Sequence, residues 1–220
     1  MGQDVSFKDY AIVACGTMIP ELNYLKETGF LDAARIFYTT PGLHQEPLEL
    51  ENQLVKLVNA AKQHARKIII VYGSTYCYIN INNPTRTIDT VVDELREEGY
   101  FISRTRMHNC IDMVATVKER EEIAGGEKIW FCTPGWVKYH DLEFKGWDRA
   151  TANENFPQHT GGGVVLDGIG FCEHYLEENP EDLLGFSDWA GIPMVGHHVP
   201  LDRIKAVLVA ALDEADKPES

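Results

Sequence analysis

Short runs of β-branched and aromatic residues alternate with stretches of helical periodicity along almost the whole chain. No other feature of the sequence restricts its fold as strongly. The strand-like runs are Tyr10–Ala14, Arg35–Tyr38, Lys67–Tyr72, Tyr100–Ser103, Ile129–Cys132, Val164–Leu166 and Pro193–Val195. Between them, Pro47, Leu50, Leu54, Leu57, Val58 and Ala61 recur at helical spacing and define one apolar stripe. Asn83 followed by Pro84 predicts an N-cap and first helical residue, with Ile88, Val91, Val92 and Leu95 on the buried face. Pro200 opens a last helix carrying Leu201, Ile204, Val207, Leu208, Ala211 and Leu212. Alternation of this kind builds right-handed βαβ units, so the expectation is an α/β fold: a doubly wound, mostly parallel sheet with helices on both faces.

A length of 220 residues suits one large domain or two small ones. The polar, aromatic and glycine-containing stretch from His140 to Gly163 is the weakest join. It reads either as a crossover between two lobes, 1–137 and 138–220, or as a long surface excursion within a single domain 1–220.

Apolar and charged contents of 44% and 25% are those of a soluble globular protein. No run approaches the roughly 20 apolar residues that span a bilayer, and the first ten residues carry no signal-peptide core. Both point to the cytoplasm, where a reducing environment disfavours structural disulfides and turns attention to metal or catalytic roles for cysteine. The formal net charge of −14 argues against nucleic-acid or anionic-membrane partners, which need a basic patch. Acidic stretches such as Glu46–Glu51, Asp93–Glu98 and Glu177–Asp182 read as solvated helix surface.

Each of the five cysteines falls within a few residues of the end of a strand-like run. Cys15 ends the first, Cys77 lies just past the third, and Cys110 follows the fourth after a short connection. Cys132 closes the fifth, and Cys172 comes soon after the sixth. In an open α/β sheet the carboxyl ends of the strands are where ligands bind, so thiols scattered in sequence are expected along one rim. A buried cysteine is also simply a small hydrophobe, and that reading competes at each position.

The densest polar cluster, Arg104-Thr105-Arg106-Met107-His108-Asn109-Cys110-Ile111-Asp112, lies between a strand and an apolar helical pattern. A thiol at a helix start near arginines is held toward thiolate, the form that attacks electrophiles or binds metal. Cys110, His108 and Arg106 are therefore candidate catalytic residues. The alternative gives Asn109 a capping role, Arg106 a salt bridge and Cys110 a place in the core. Cys15-Gly16-Thr17 ends a strand in a sharp turn, His44 follows the second strand, and Tyr72-Gly73-Ser74-Thr75-Tyr76-Cys77 offers a third thiol with hydroxyls. Cys15, Cys77 and Cys110 with His44 or His108 would make a thiolate-rich site suited to zinc, with an iron–sulfur cluster as the next candidate. No C-x-x-C pair exists, which excludes a zinc ribbon or finger.

Gly16, Gly73, Trp136 and Asp167 are candidate cofactor-binding positions. Trp136 follows Cys132-Thr133-Pro134-Gly135 and, with Trp147 and Trp189, either walls a pocket or packs in the core. Asp167-Gly168-Ile169-Gly170 precedes a helix expected near Cys172, where backbone amides could hold an anion. Gly196-His197-His198, after the last strand run, offers imidazoles for metal or acid–base work, or for capping.

Taken together, Ala14-Cys15-Gly16, Leu43-His44 with Pro47, Tyr72-Gly73, Arg106 with His108-Asn109-Cys110-Ile111, and Thr133-Pro134-Gly135-Trp136 make the chain resemble the uncharacterised family called DUF1638 over roughly residues 10–200. Members of that family often occur beside corrinoid-dependent methyltransferase systems, so the resemblance implies a link to methyl or one-carbon metabolism. The leading expectation is a metal-binding protein, most simply zinc, that serves corrinoid-linked methyl transfer on a small-molecule substrate through a Cys/His thiolate site, partnered by a corrinoid protein or methyltransferase. Two alternatives stand beside it. One is a metal-free enzyme with Cys110 or Cys15 as nucleophile and His44 or His108 beside it. The other is an accessory protein that binds a corrinoid or a partner and performs no chemistry.

Overall fold

The computed structural model describes residues 5–73, 77–78, 80, 82–96 and 99–215. In chain order the strands are β1 (Tyr10–Ala14), β2 (Arg35–Tyr38), β3 (Lys67–Val71), β4 (Phe101–Arg104), β5 (Trp130–Cys132), β6 (Gly163–Asp167) and β7 (Met194–His198). The helices are α1 (Ile19–Glu27), α2 (Pro47–Ala61), α3 (Ile88–Leu95), α4 (Cys110–Val114), α5 (Val117–Ala124), α6 (Pro134–Lys138), α7 (His140–Glu143), α8 (Arg149–Asn155), α9 (Leu176–Glu178), α10 (Pro180–Ala190) and α11 (Asp202–Ala215). All seven expected strands form, and the fold is the expected doubly wound α/β type.

The strands make two parallel sheets, one ordered β2-β1-β3-β4 and the other β5-β6-β7. The chain accordingly divides into two units, residues 1–110 with 204–220, and residues 111–203. The division falls at Cys110/Ile111 and not near residue 137. α11 belongs to the first unit because Ile204, Leu208 and Ala211 bury their side chains and Ser103 of β4 donates to the Ala211 carbonyl at 2.9 Å.

In the first unit, residues of alternate parity along each strand serve opposite faces of the sheet. Ala11, Val13, Ile68, Ile70 and Ile102 pack with Leu50, Leu54, Val58 and Ala61 of α2 and Ile88, Val91, Val92 and Leu95 of α3. These are the residues that the helical periodicity marked. α3 begins at Ile88, not at Pro84. The Asn80 side chain accepts the amides of Asn82 and Asn83 at 3.1 and 3.0 Å, which makes a turn there. Thr87 takes over as N-cap, its hydroxyl accepting the Thr90 amide at 3.3 Å with the reciprocal bond also formed.

In the second unit the His140–Gly163 stretch folds into α7, α8 and a 3-10 turn at Phe156–Gln158. The helix expected near Cys172 starts as a five-residue π turn, Phe171–Tyr175. β7 runs to His198, so His197 and His198 lie within the strand and not after it.

Candidate thiol site at the carboxyl edge of the first sheet

The order β2-β1-β3-β4 reverses between β1 and β3: the chain leaves β1 for the strand on one side and leaves β3 for the strand on the other. Loops part at such a point and open a crevice at the strands' carboxyl ends, the usual ligand position in open α/β sheets. Cys15 sits there directly after β1, its amide donating to the Val71 carbonyl at 3.1 Å. Because Cys15 and Tyr72 continue the parity of Val13 and Ile70, both face the α2 side. They pack there in one cluster with Cys77, Tyr78 and Leu43.

Two glycines let the loops converge. A Cβ on Gly16 would lie 2.1 Å from the Thr39 carbonyl oxygen and 2.7 Å from the Pro41 nitrogen, so the turn after β2 rests directly on the turn after β1. A Cβ on Gly73 would lie 2.5 Å from Cys77 Sγ and 2.7 Å from both the Asn109 Cα and the His108 carbonyl oxygen. Gly73 also bridges to Met107 in parallel pairing, which extends the β3–β4 ladder up to the polar cluster. Both glycines are thus needed for close backbone approach, the structural use of the positions read as cofactor-binding.

The structure therefore places Cys15 and Cys77 in the same packed cluster and sets His108 and Asn109, just ahead of α4, against Gly73. Cys77 Sγ faces the His108 carbonyl at 4.0 Å. Cys77 and Cys110 are each 8% exposed, while Cys15 is half-buried and keeps an open side. The His108 side chain is exposed. His44 sits in the 3-10 turn Leu43–Gln45, and burial lowers its pKa below the ordinary imidazole value, which keeps it neutral at pH 7. Arg106 is largely exposed and pairs with Asp89 at 3.0 Å; Arg104 grips the same carboxylate with two bonds of 2.6 and 2.7 Å. Those bonds, Arg104 first, hold the Asp89 carboxyl below its usual range. Ser74, Thr75 and Tyr76 lie outside the described residues.

Sequence reasoning did not foresee a buried hydroxyl pair beneath the thiols. The Tyr72 hydroxyl lies 2.7 Å from Thr39 Oγ1, which also accepts the Gly16 amide at 3.3 Å. The signal was the parity of Tyr72 with Ile68 and Ile70, which marks it as inward-facing.

The edge of the second sheet is differently employed. Trp136 packs edge-on to Trp130 with centroids 5.8 Å apart, in a cluster with Phe144, Phe156, Phe186, Trp147 and Trp189. The Asp167 carboxylate accepts the amides of Ile169, Phe171 and Cys172 at 3.0, 3.0 and 2.7 Å. The amides expected to hold an anion are filled by the chain's own carboxylate, and this shapes the wide turn at Phe171–Tyr175. Burial, reinforced by the Asp167 charge, pushes the Cys172 thiol up to about 12. Cys132 is fully buried. Among the described residues no group of three or more His, Cys, Asp or Glu side chains is placed to hold a metal ion, and no helix is long and apolar enough to cross a membrane.

A family profile described as "Protein of unknown function (DUF1638)" matches residues 38–208. The chain belongs to the DUF1638 family. The matched segment begins at Tyr38, after β1 and Cys15. No curated protein and no solved structure matches the chain.

Gly73→Ala is expected to destabilise the first unit by roughly 1–3 kcal/mol, because two of the three atoms its methyl group meets are backbone. Urea unfolding of native and variant protein checks this; an unchanged midpoint would mean that the loops do not converge there.

Proposed function

We propose that this DUF1638 protein works through the thiol of Cys15, a nucleophile that accepts a small soft electrophile in the crevice between the ends of β1 and β3. One comparison carries the reading. Of the five cysteines, Cys77, Cys110 and Cys132 are buried, and only Cys15 and Cys172 keep an open side. Cys172 is held as a neutral thiol by burial and by Asp167, and a neutral thiol is a poor nucleophile. Cys15 alone combines access with a position at the switch point of the sheet. In the reaction a carbon–sulfur bond forms on the Cys15 thiolate as the bond from carbon to its leaving group breaks, and the leaving group departs with the electron pair. The association of the family with corrinoid-dependent methyltransferase systems makes a one-carbon group the natural electrophile.

Timed treatment with iodoacetamide, read by peptide mass spectrometry, tests this. Cys15 is expected to react at least about tenfold faster than the other four thiols, in keeping with its access and environment. A fastest reaction at Cys172, Cys110 or Cys77, or equal rates at all five, would reject it.

The packing of Cys15 and Cys77 in one cluster, with the residues just ahead of Cys110 set against Gly73, favours a second reading: a zinc–thiolate centre serving corrinoid-linked methyl transfer. Thiols are the right donors in kind for zinc. Their placement does not make a three-ligand group as it stands, so binding would require Cys77 and Cys110 to close on Cys15. Zinc held by thiolates would supply a Lewis-acid centre that keeps a thiol acceptor deprotonated. Elemental analysis of protein purified without oxygen separates the readings: about one zinc per chain, lost in Cys110→Ser, would establish the metal centre, whereas metal-free protein would dismiss it.

A further inference from the structure

The sulfur of Cys15 has hydroxyls from the turns after β1 and β3 for neighbours, and the second of these meets a third hydroxyl from the turn after β2. Cys15 Sγ lies 3.3 Å from Thr17 Oγ1 in its own turn. From the β3 side, the register that pairs Ala14 with Val71 carries Tyr72 alongside Cys15 on the same face, and the two pack in one cluster. Tyr72 and Thr39 are each 2% exposed, and their oxygens are 2.7 Å apart. Thr39 Oγ1 in turn accepts the Gly16 amide at 3.3 Å. A threonine hydroxyl that accepts from an amide still has its own proton to give. Either hydroxyl of this pair can be the donor; with Thr39 donating, the Tyr72 proton is left for the sulfur.

We infer that Tyr72 and Thr39 are positioning residues for Cys15, forming a buried donor chain from the Gly16 amide through Thr39 and Tyr72 that holds the sulfur at the crevice and stabilises negative charge on it. The inference rests on the reading of Cys15 as the nucleophile. Neither residue has the exposure to touch a substrate, so both act through the sulfur. Hydrogen bonds to a charged acceptor are about twice as strong as neutral ones, and donors in a chain polarise one another. Thr17 adds to the effect: it accepts from Cys15 as a thiol and, after rotation of its hydroxyl, donates to it as a thiolate.

Three variants test the chain through the initial rate of Cys15 alkylation by iodoacetamide at a fixed neutral pH, with thermal unfolding measured alongside. Tyr72→Phe is expected to slow Cys15 about tenfold, the effect of losing one hydrogen bond to a charged group, and Thr39→Val, which removes only the donor behind Tyr72, about two- to threefold. Thr39→Ser, which keeps the hydroxyl, should restore the native rate, and the other four thiols should react as before. If Tyr72→Phe does not fold, the contrast between Thr39→Val and Thr39→Ser decides alone. Native rates at Cys15 in Thr39→Val, or equal slowing in Thr39→Ser, would overturn the donor chain while leaving the nucleophile in place. A native protein whose Cys15 is not the fastest thiol would overturn the nucleophile and the chain together.

Discussion

The reversal of strand order between β1 and β3 is the constraint on which the site depends. With β2 on one side of β1 and β3 on the other, the crossovers must use opposite faces of the sheet, and the turns after β1 and β3 are left free to face each other. Gly16 and Gly73 then determine how closely neighbouring backbone approaches those turns. Each stands where a single methyl group would meet backbone at 2.7 Å or less. The thiols follow from this geometry: Cys15 arrives with β1, and Cys77 is packed over Gly73 against the carbonyl of His108.

Two cysteines with similar exposure illustrate how surroundings decide chemistry. Cys172 has a carboxylate beside it and is pushed up to about 12. Cys15 has the hydroxyls of Thr17 and Tyr72 as neighbours. A carboxylate repels a thiolate, whereas a hydroxyl can turn its proton toward one. The first arrangement holds a thiol protonated, whereas the second offers the sulfur hydrogen-bond donors.

The architecture was largely legible in the sequence because it is written in period. Leu50, Leu54, Val58 and Ala61 repeat on one face of a helix, and Ile68 and Ile70 repeat on one face of a strand; these residues meet in one core. Features set by a single hydrogen bond were not legible. Asn83-Pro84 has the form of a helix start, yet the Asn80 side chain captures the Asn83 amide and the helix waits for Thr87. Asp167-Gly168-Ile169-Gly170 has the form of an anion loop, yet Asp167 itself occupies the amides. At the site, strand ends placed the cysteines on one rim. Which sulfur keeps an open side depends on packing between loops distant in sequence, such as Thr39 against Gly16, and no local pattern encodes that.

The account stands on Cys15 being the reactive sulfur in a crevice between the ends of β1 and β3. The most direct measurement is a crystal structure of the protein after brief treatment with one equivalent of iodoacetamide. The account predicts an acetamide group on Cys15 Sγ, lying between the two turns, with the Tyr72 hydroxyl beside the sulfur. Density for the label on Cys77, Cys110 or Cys172 with Cys15 bare, or a Cys15 side chain turned away from Tyr72, would contradict it.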